Sequence, residues 1–195
     1  MKLLGNLKKG LAFVVSAPAG TGKTTLVQML QDEFPCVVES VSYTTRKPRA
    51  GEVEGQHYSF ISEAAFEEKV HKGEFLEYAQ VFHHSYGTSR LKVEEELKKG
   101  RHVVLVIDTQ GALQLMGRFE ATYIFVSPPN LDELKQRLKS RKTETEESIA
   151  TRLSWAKREI EEAHRYDYHI INDNLKIAYD VLRAILIAEE HKTGR

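Results

Sequence analysis

Residues 16–25 read Ser16-Ala17-Pro18-Ala19-Gly20-Thr21-Gly22-Lys23-Thr24-Thr25, and this stretch decides the fold. It follows an apolar run at 11–15 and precedes a helical pattern that begins at Leu26. Strand, glycine-rich loop ending in Gly-Lys-Thr, then helix is the context that a phosphate-binding P-loop requires. The backbone N–H groups of such a loop and of the first helical turn converge on one spot and favour negative charge there. Lys23 adds a mobile cation, and the Thr24 hydroxyl is placed to hold a Mg²⁺. The pattern asks for Gly at its first position, where this chain has Ala17. A secretory leader is the competing reading, with Lys8 and Lys9, the apolar run, then Ala17-Pro18-Ala19 as a cleavage site. It fails because the run at 11–15 is shorter than a leader's apolar region of roughly 7–15 residues, and Pro18 sits inside the supposed site.

Further apolar runs extend this reading outward. Those at 103–107, 123–126 and 169–171 are short and continuous, as strands buried on both faces of a parallel sheet are. Helix-length patterns lie between them at 26–34, 89–99, 110–119, 130–139 and 175–190, with Asn130, then Asn174 or Asp173, as caps. Strands alternating with helices predict an α/β fold, a P-loop NTPase-type parallel sheet flanked by helices. Two regions break the rhythm. Residues 37–88 are rich in Tyr, Thr, Arg and Gly, with strand-like pieces at 58–61 and 75–81, and read as a small α+β insertion. Residues 136–165 are helical and highly charged, with a capping-box signature at Thr143-x-x-Glu146. Their apolar positions, Ile149, Leu153, Trp155 and Ile160, are too sparse to add much to a core. The core then comprises 1–36, 89–135 and 166–195, within one unit spanning 9–190.

A chain of 195 residues is long enough for one full domain with insertions. Its 41% hydrophobic and 29% charged content is that of soluble globular proteins. The 28 basic and 28 acidic residues cancel, which argues against a general nucleic-acid or anionic-membrane binder. The single Cys36 excludes an intramolecular disulfide, argues against a cysteine zinc site and fits a reducing compartment. No apolar run approaches the ~18 residues needed to cross a bilayer. A cytoplasmic protein with neither a nucleic-acid nor a membrane partner is expected, and both monomer and homodimer stay open.

A second constellation lies in the insertion. Arg46, Lys47 and Arg49 crowd into one short segment, and Pro48 biases Lys47 away from helix. Cations on an extended loop can converge on one anion, and arginine forks suit bidentate phosphate binding. Tyr58 and Tyr86 add hydroxyl donors. Taken alone, such a loop is more commonly a solvated basic segment. A nuclear-localisation reading is weaker still, because the run is short and interrupted by Pro48.

Residues 42–52, Tyr58, the run Gly73-Glu74-Phe75-Leu76-Glu77-Tyr78-Ala79 and Tyr86-Gly87-Thr88 together resemble the nucleotide-binding insertion of guanylate kinases. With 16–25, Ile107-Asp108-Thr109-Gln110-Gly111, the run 141–153 and Ile171-Asn172-Asp173, the likeness covers about 11–190. It implies transfer of the γ-phosphoryl of ATP to GMP, and to dGMP, with Mg²⁺ as cofactor. Residues 37–88 would be the GMP-binding insertion and 136–165 a lid. By the same likeness Arg46, Arg49, Tyr58 and Tyr86 hold the GMP phosphate, and Glu77 accepts from the guanine N1–H and 2-amine. Ser42, Gly87 and Thr88 lie at the base, and Asp108 faces the nucleotide. ATP falls to Ala17, Pro18, Ala19, Gly20, Thr21, Gly22, Lys23, Thr24 and Thr25, with Asn172 near the adenine. Lys23, Arg137, Arg141 and Arg152 are the catalytic charges. Thr24 is the direct Mg²⁺ ligand, and Asp108 acts through water.

Adenine offers no N1–H, so a buried Glu77 would be left partly unpaired against AMP, a mismatch that discriminates by ~10⁴-fold or more. A helix puts Arg137 and Arg141 on one face, but that spacing equally suits an exposed helix ion-paired with Glu144, Glu146 and Glu147. Three departures stand out: Ala17 for the first P-loop glycine, as in bacterial relatives, Val106 where the family often has an acid, and Lys142 where it usually has Gly. Two other readings share these motifs: a non-catalytic domain that binds phosphorylated or acidic peptides, and a kinase of another phosphate monoester. The intact Gly22-Lys23-Thr24 argues against the first, and Glu77 with Ser42 against the second.

Overall fold

A computed structural model describes residues 2–49, 51–81, 83–140 and 145–193. Strand β1 (Ala12–Ser16) is buried at every position, and successive side chains turn to opposite faces. Phe13 and Val15 therefore enter one apolar layer while Ala12 and Val14 enter the other. From there the chain runs through α1 (Lys23–Glu33), β2 (Val37–Glu39), β3 (Tyr43–Thr44), β4 (Ser59–Phe60), α2 (Glu63–His71), β5 (Phe75–Val81) and β6 (His84–Ser89). It continues through α3 (Arg90–Lys98), β7 (His102–Val106), α4 (Thr109–Leu115), β8 (Thr122–Ser127), α5 (Leu131–Ser140), α6 (Glu146–Glu161), β9 (Tyr168–Ile171) and α7 (Leu175–Glu190).

The main sheet has the order β2-β7-β1-β8-β9, and every neighbouring pair is parallel. Leu26 and Leu30 of α1, with Leu182 and Leu186 of α7, cover the face that carries Phe13, Val15 and Ile124. Val93, Leu97, Ala112 and Leu115, from α3 and α4, cover the face that carries Val14, Leu105 and Phe125. Each fully buried Leu or Phe contributes about 1.5–3 kcal/mol, so these two layers hold the fold. The expected α/β fold is present, and the four core strands fall within a residue of the expected runs. The strand β2 is a correction. Its residues were assigned to the insertion, yet they pair with residues 102–104 as an edge of the main sheet. A three-residue strand shows no readable period, and its partner lies far along the chain.

The insertion forms its own four-stranded sheet, β4-β3-β6-β5. The rings of Phe66 and Phe75 pack 4.7 Å apart behind it. A Cβ at Gly87 would meet the Phe75 ring at 3.0 Å, so glycine lets this layer close. The charged segment has more core than its composition promised. Leu134 and Leu138 of α5 pack with Ile149 and Ala156 of α6 in a separate apolar cluster that Leu153 joins. The cap of α6 is Thr145, which accepts from the Ser148 N–H at 3.2 Å. Thr143, expected in that role, lies outside the described residues. Among the described residues no helix is long and apolar enough to cross a membrane.

Candidate active site

Gly20 and Gly22 have φ of 93° and 97°, left-handed values that side chains resist. A Cβ at Gly22 would also lie 2.7 Å from Asn172 Nδ2. That amide donates to Thr21 O at 2.7 Å, which ties the loop to the end of β9. Gly22 is the N-cap of α1, with no side-chain cap and no acid in the first turn. The other described α-helices are capped by Ser62, Ser89, Asp108, Asn130, Thr145 and Asn174. The first amides of α1 are thus left for a ligand, and the helix dipole favours an anion there.

Lys23 Nζ donates to Ile107 O at 3.3 Å. Burial pushes its pKa down, and the carboxylates of Glu159, Asp108 and Glu39 oppose that shift. Asp108, just beyond β7, caps α4 through Oδ1, which accepts from the Gly111 N–H at 2.9 Å. Its Oδ2 accepts from Gln110 Nε2 at 3.2 Å. Among the described residues no group of three or more His, Cys, Asp or Glu is arranged to hold a metal ion. Thr24, exposed in the first turn of α1, and Asp108 fit an ion carried mainly by phosphate oxygens and water, as Mg²⁺ usually is.

A cavity of about 270 Å³ opens beside this loop. Ala17, Ala19 and Lys23 line one wall, and Ser42, Arg49, Tyr58, Glu77 and Tyr86 line the opposite one. Asp108 and Val106 lie between them, and Arg152 reaches in from α6. Val106 places an apolar side chain in the lining, which leaves Asp108 as the carboxylate at that strand end. Among the lining residues that escaped the sequence reading are Trp155 and Glu159. Both lie on the Arg152 face of α6, at i+3 and i+7, and that spacing was the available signal. Burial raises the Glu159 pKa, and Thr109 Oγ1 donates to its Oε1 at 3.4 Å.

Arg46 does not itself line the cavity but contacts Tyr58 and Tyr86, which do, and it is not an open fork. Its NH1 and NH2 donate to Glu52 at 2.9 and 2.8 Å, NH1 also donates to Lys47 O, and Nε donates to Tyr86 OH. The guanidinium lies 5.3 Å from the centre of the Tyr58 ring. The Glu52 hydrogen bonds push the Arg46 pKa up, and the same pair holds Glu52 below the usual carboxylate range. One NH2 hydrogen has no partner among the described residues. Arg49 is exposed, and its guanidinium has no hydrogen-bond partner among the described residues. Glu77 is 5% exposed and accepts from Thr88 Oγ1 at 2.6 Å. Burial, reinforced by Asp108 and opposed by Thr88, pushes its pKa up to about 7.

Other expected site residues lie elsewhere. Gly87 and Thr88 are buried behind the wall that Glu77 forms. Pro18 and Thr21 are buried within the loop, whereas Thr25 is exposed on α1. Asn172 is buried with its amide committed to the loop. Arg137 is braced outside the cavity, with Nε on Glu133 Oε1 at 3.1 Å and NH1 on Asn172 O at 3.0 Å. Arg141 and Lys142 lie outside the described residues.

A parallel sheet with a P-loop at the β1–α1 junction, facing a polar wall supplied by an insertion, defines a P-loop NTPase-type protein. The sequence matches the family model for guanylate kinase over residues 9–189. It is 58% identical to a guanylate kinase of Protochlamydia amoebophila over 195 residues, 100% of this chain and 99% of that protein. It is 47% identical to one from Clostridioides difficile, covering 97% of this chain and 93% of that protein. The crystal structure of guanylate kinase from Anaplasma phagocytophilum superposes with a TM-score of 0.78 at 36% identity, over 95% of this chain and 88% of that one. The chain belongs to the guanylate kinase family.

Proposed function

We propose that this chain transfers the γ-phosphoryl group of ATP to GMP, and to dGMP, giving ADP and the nucleoside diphosphate. One observation carries the reading: a single cavity has the P-loop lysine on one wall and the buried carboxylate of Glu77 on the other. The uncapped amides of α1 and Lys23 would hold the β- and γ-phosphates. Glu77 would accept from the guanine N1–H and 2-amine, and Arg49 with the remaining Arg46 N–H would take the GMP phosphate. That phosphate is already an anion, so no base is needed: its oxygen bonds to the γ-phosphorus as the β–γ bridging bond breaks towards ADP. Arg152 is placed to offset charge on the transferring group, and positioning with charge neutralisation accounts for most phosphoryl-transfer catalysis.

Mg²⁺ is the proposed cofactor, held by Thr24 and through water by Asp108, and it would neutralise charge on the ATP phosphates. Residues 37–88 and 136–165 would close as GMP domain and lid, excluding water and so suppressing ATP hydrolysis. Such an enzyme works where its nucleotides are, in the cytoplasm, and Cys36 suits that reducing compartment. The test is a coupled ADP-release assay with ATP, Mg²⁺ and GMP, dGMP, AMP, CMP or UMP. GMP should exceed AMP by ~10⁴-fold in kcat/KM. Full inactivity would favour a peptide-binding module instead, and equal use of AMP would remove Glu77 as the base reader.

A further inference from the structure

Strand β5 carries Glu77, and it is an edge strand: its partner is β6, and among the described residues its other side meets no strand. An edge strand leaves alternate N–H and C=O groups without a ladder partner. At Tyr78, next to Glu77, both groups meet one side chain. The Tyr78 N–H donates to Gln114 Oε1 at 3.4 Å, and Gln114 Nε2 donates to Tyr78 O at 2.8 Å. The Gln114 amide thus offers the donor–acceptor pair that a neighbouring strand would offer, but it offers it from α4, in the core.

Helix α4 has a second relation to Glu77. Gly111 stands against the Glu77 carboxylate, where any Cβ would collide with Oε2. The same Gly111 donates its N–H to Asp108. One helix therefore has Asp108 at its cap, makes room for Glu77 one turn in, and grips the strand beside Glu77 one turn further on. Glu77 is fixed within the insertion by Thr88, but α4 sets where it stands relative to the P-loop half of the cavity.

We infer that Gln114 is a positioning residue for acceptor recognition: it latches β5 to α4 and so sets the place of the Glu77 carboxylate. The inference rests on the reading of Glu77 as the guanine acceptor. Gln114 is exposed and supports no core layer, so its replacement should leave the fold intact.

The experiment is steady-state kinetics of the full chain and its Gln114→Ala variant with GMP and with IMP. IMP shares the phosphate, sugar and N1–H and lacks only the 2-amine. Loss of a net hydrogen bond corresponds to about a fivefold to tenfold change. The KM for GMP should rise by that factor, the preference for GMP over IMP should narrow, and the KM for ATP and the thermal midpoint should stay put. A second variant, Gln114→Glu, keeps an acceptor for the Tyr78 N–H but sets a carboxylate against Tyr78 O, and should do at least as much harm. Unchanged GMP kinetics in both variants, or an equal loss for GMP, IMP and ATP, would overturn the latch. A parent chain that does not phosphorylate GMP would instead overturn the acceptor reading, and the latch's role with it.

Discussion

On the P-loop wall of the cavity, α1 begins at Gly22 without a side-chain cap and Lys23 is held by one carbonyl, that of Ile107. On the insertion side, Arg46, which lies outside the cavity lining, is already engaged by Glu52, Lys47 O and Tyr86, and Glu77, which lines it, by Thr88. The first wall is made of backbone and one lysine, and its donors wait for an anion. The second is made of side chains, and its buried charges, Arg46 and Glu77, are engaged beforehand while the exposed Arg49 is not. A buried arginine or glutamate without a partner costs several kcal/mol, so a side-chain site must pair its charges when it is empty. The backbone donors of the first wall carry no such charge, and only Lys23 there does. Those donors need only glycine conformations and a brace, which Asn172 supplies.

If the walls differ in this way, the largest effect belongs to Lys23. Lys23→Ala should lower kcat by ~10²-fold or more, as loss of a strong electrostatic stabiliser does, with little change in the KM for GMP. Near-normal turnover in the coupled assay would remove the P-loop wall from the chemistry. The two insertion arginines should separate next. Arg46→Ala leaves Glu52 with only the Arg49 N–H and should raise the KM for GMP by about 100-fold while lowering the thermal midpoint by several degrees. Arg49→Ala should raise that KM about tenfold and leave the midpoint unchanged. Equal melting of the two variants would show that the Arg46–Glu52 pair does not organise this wall.

The smallest effect is that of pH on Glu77. Its pKa is raised, so its neutral form favours the fold at low pH, and that contribution fades as pH rises through about 7. Glu77→Gln should then be the more stable chain at about pH 8, with the gap closing towards pH 5. Guanine offers donors and needs the ionised carboxylate, so the KM for GMP should rise about tenfold between pH 8 and pH 6. A flat profile would place Glu77 outside base recognition.

Much of this site was legible because its parts are local. The P-loop is one run of sequence between a strand and a helix, and Arg46, Arg49, Tyr58 and Glu77 sit in recognisable spacing. Less legible were features that depend on a partner far along the chain. The edge strand β2 is too short to show a period, and Trp155 and Glu159 reach the cavity only because α6 packs with Arg152 turned inward. Nothing in the spacing of Glu52 announced its pairing with Arg46, and the apolar positions of 136–165 are sparse in sequence but join Leu134 and Leu138 of α5 in the fold.

The sequence by itself determined the α/β class and the loop that receives phosphate, while the residues opposite it were implied by the likeness to guanylate kinases. Periodicity, glycine conformation and the chemistry of Lys, Arg and Glu act over a few residues and need no knowledge of the fold. Only the tertiary structure decided which charges are free and which are spent. Glu52 occupies Arg46, Arg49 stands open among the described residues, burial raises the Glu77 pKa to about 7 against the pull of Thr88, and Gln114 joins β5 to α4. Those outcomes depend on distances between groups brought together by folding, and on how far that folding removes them from water.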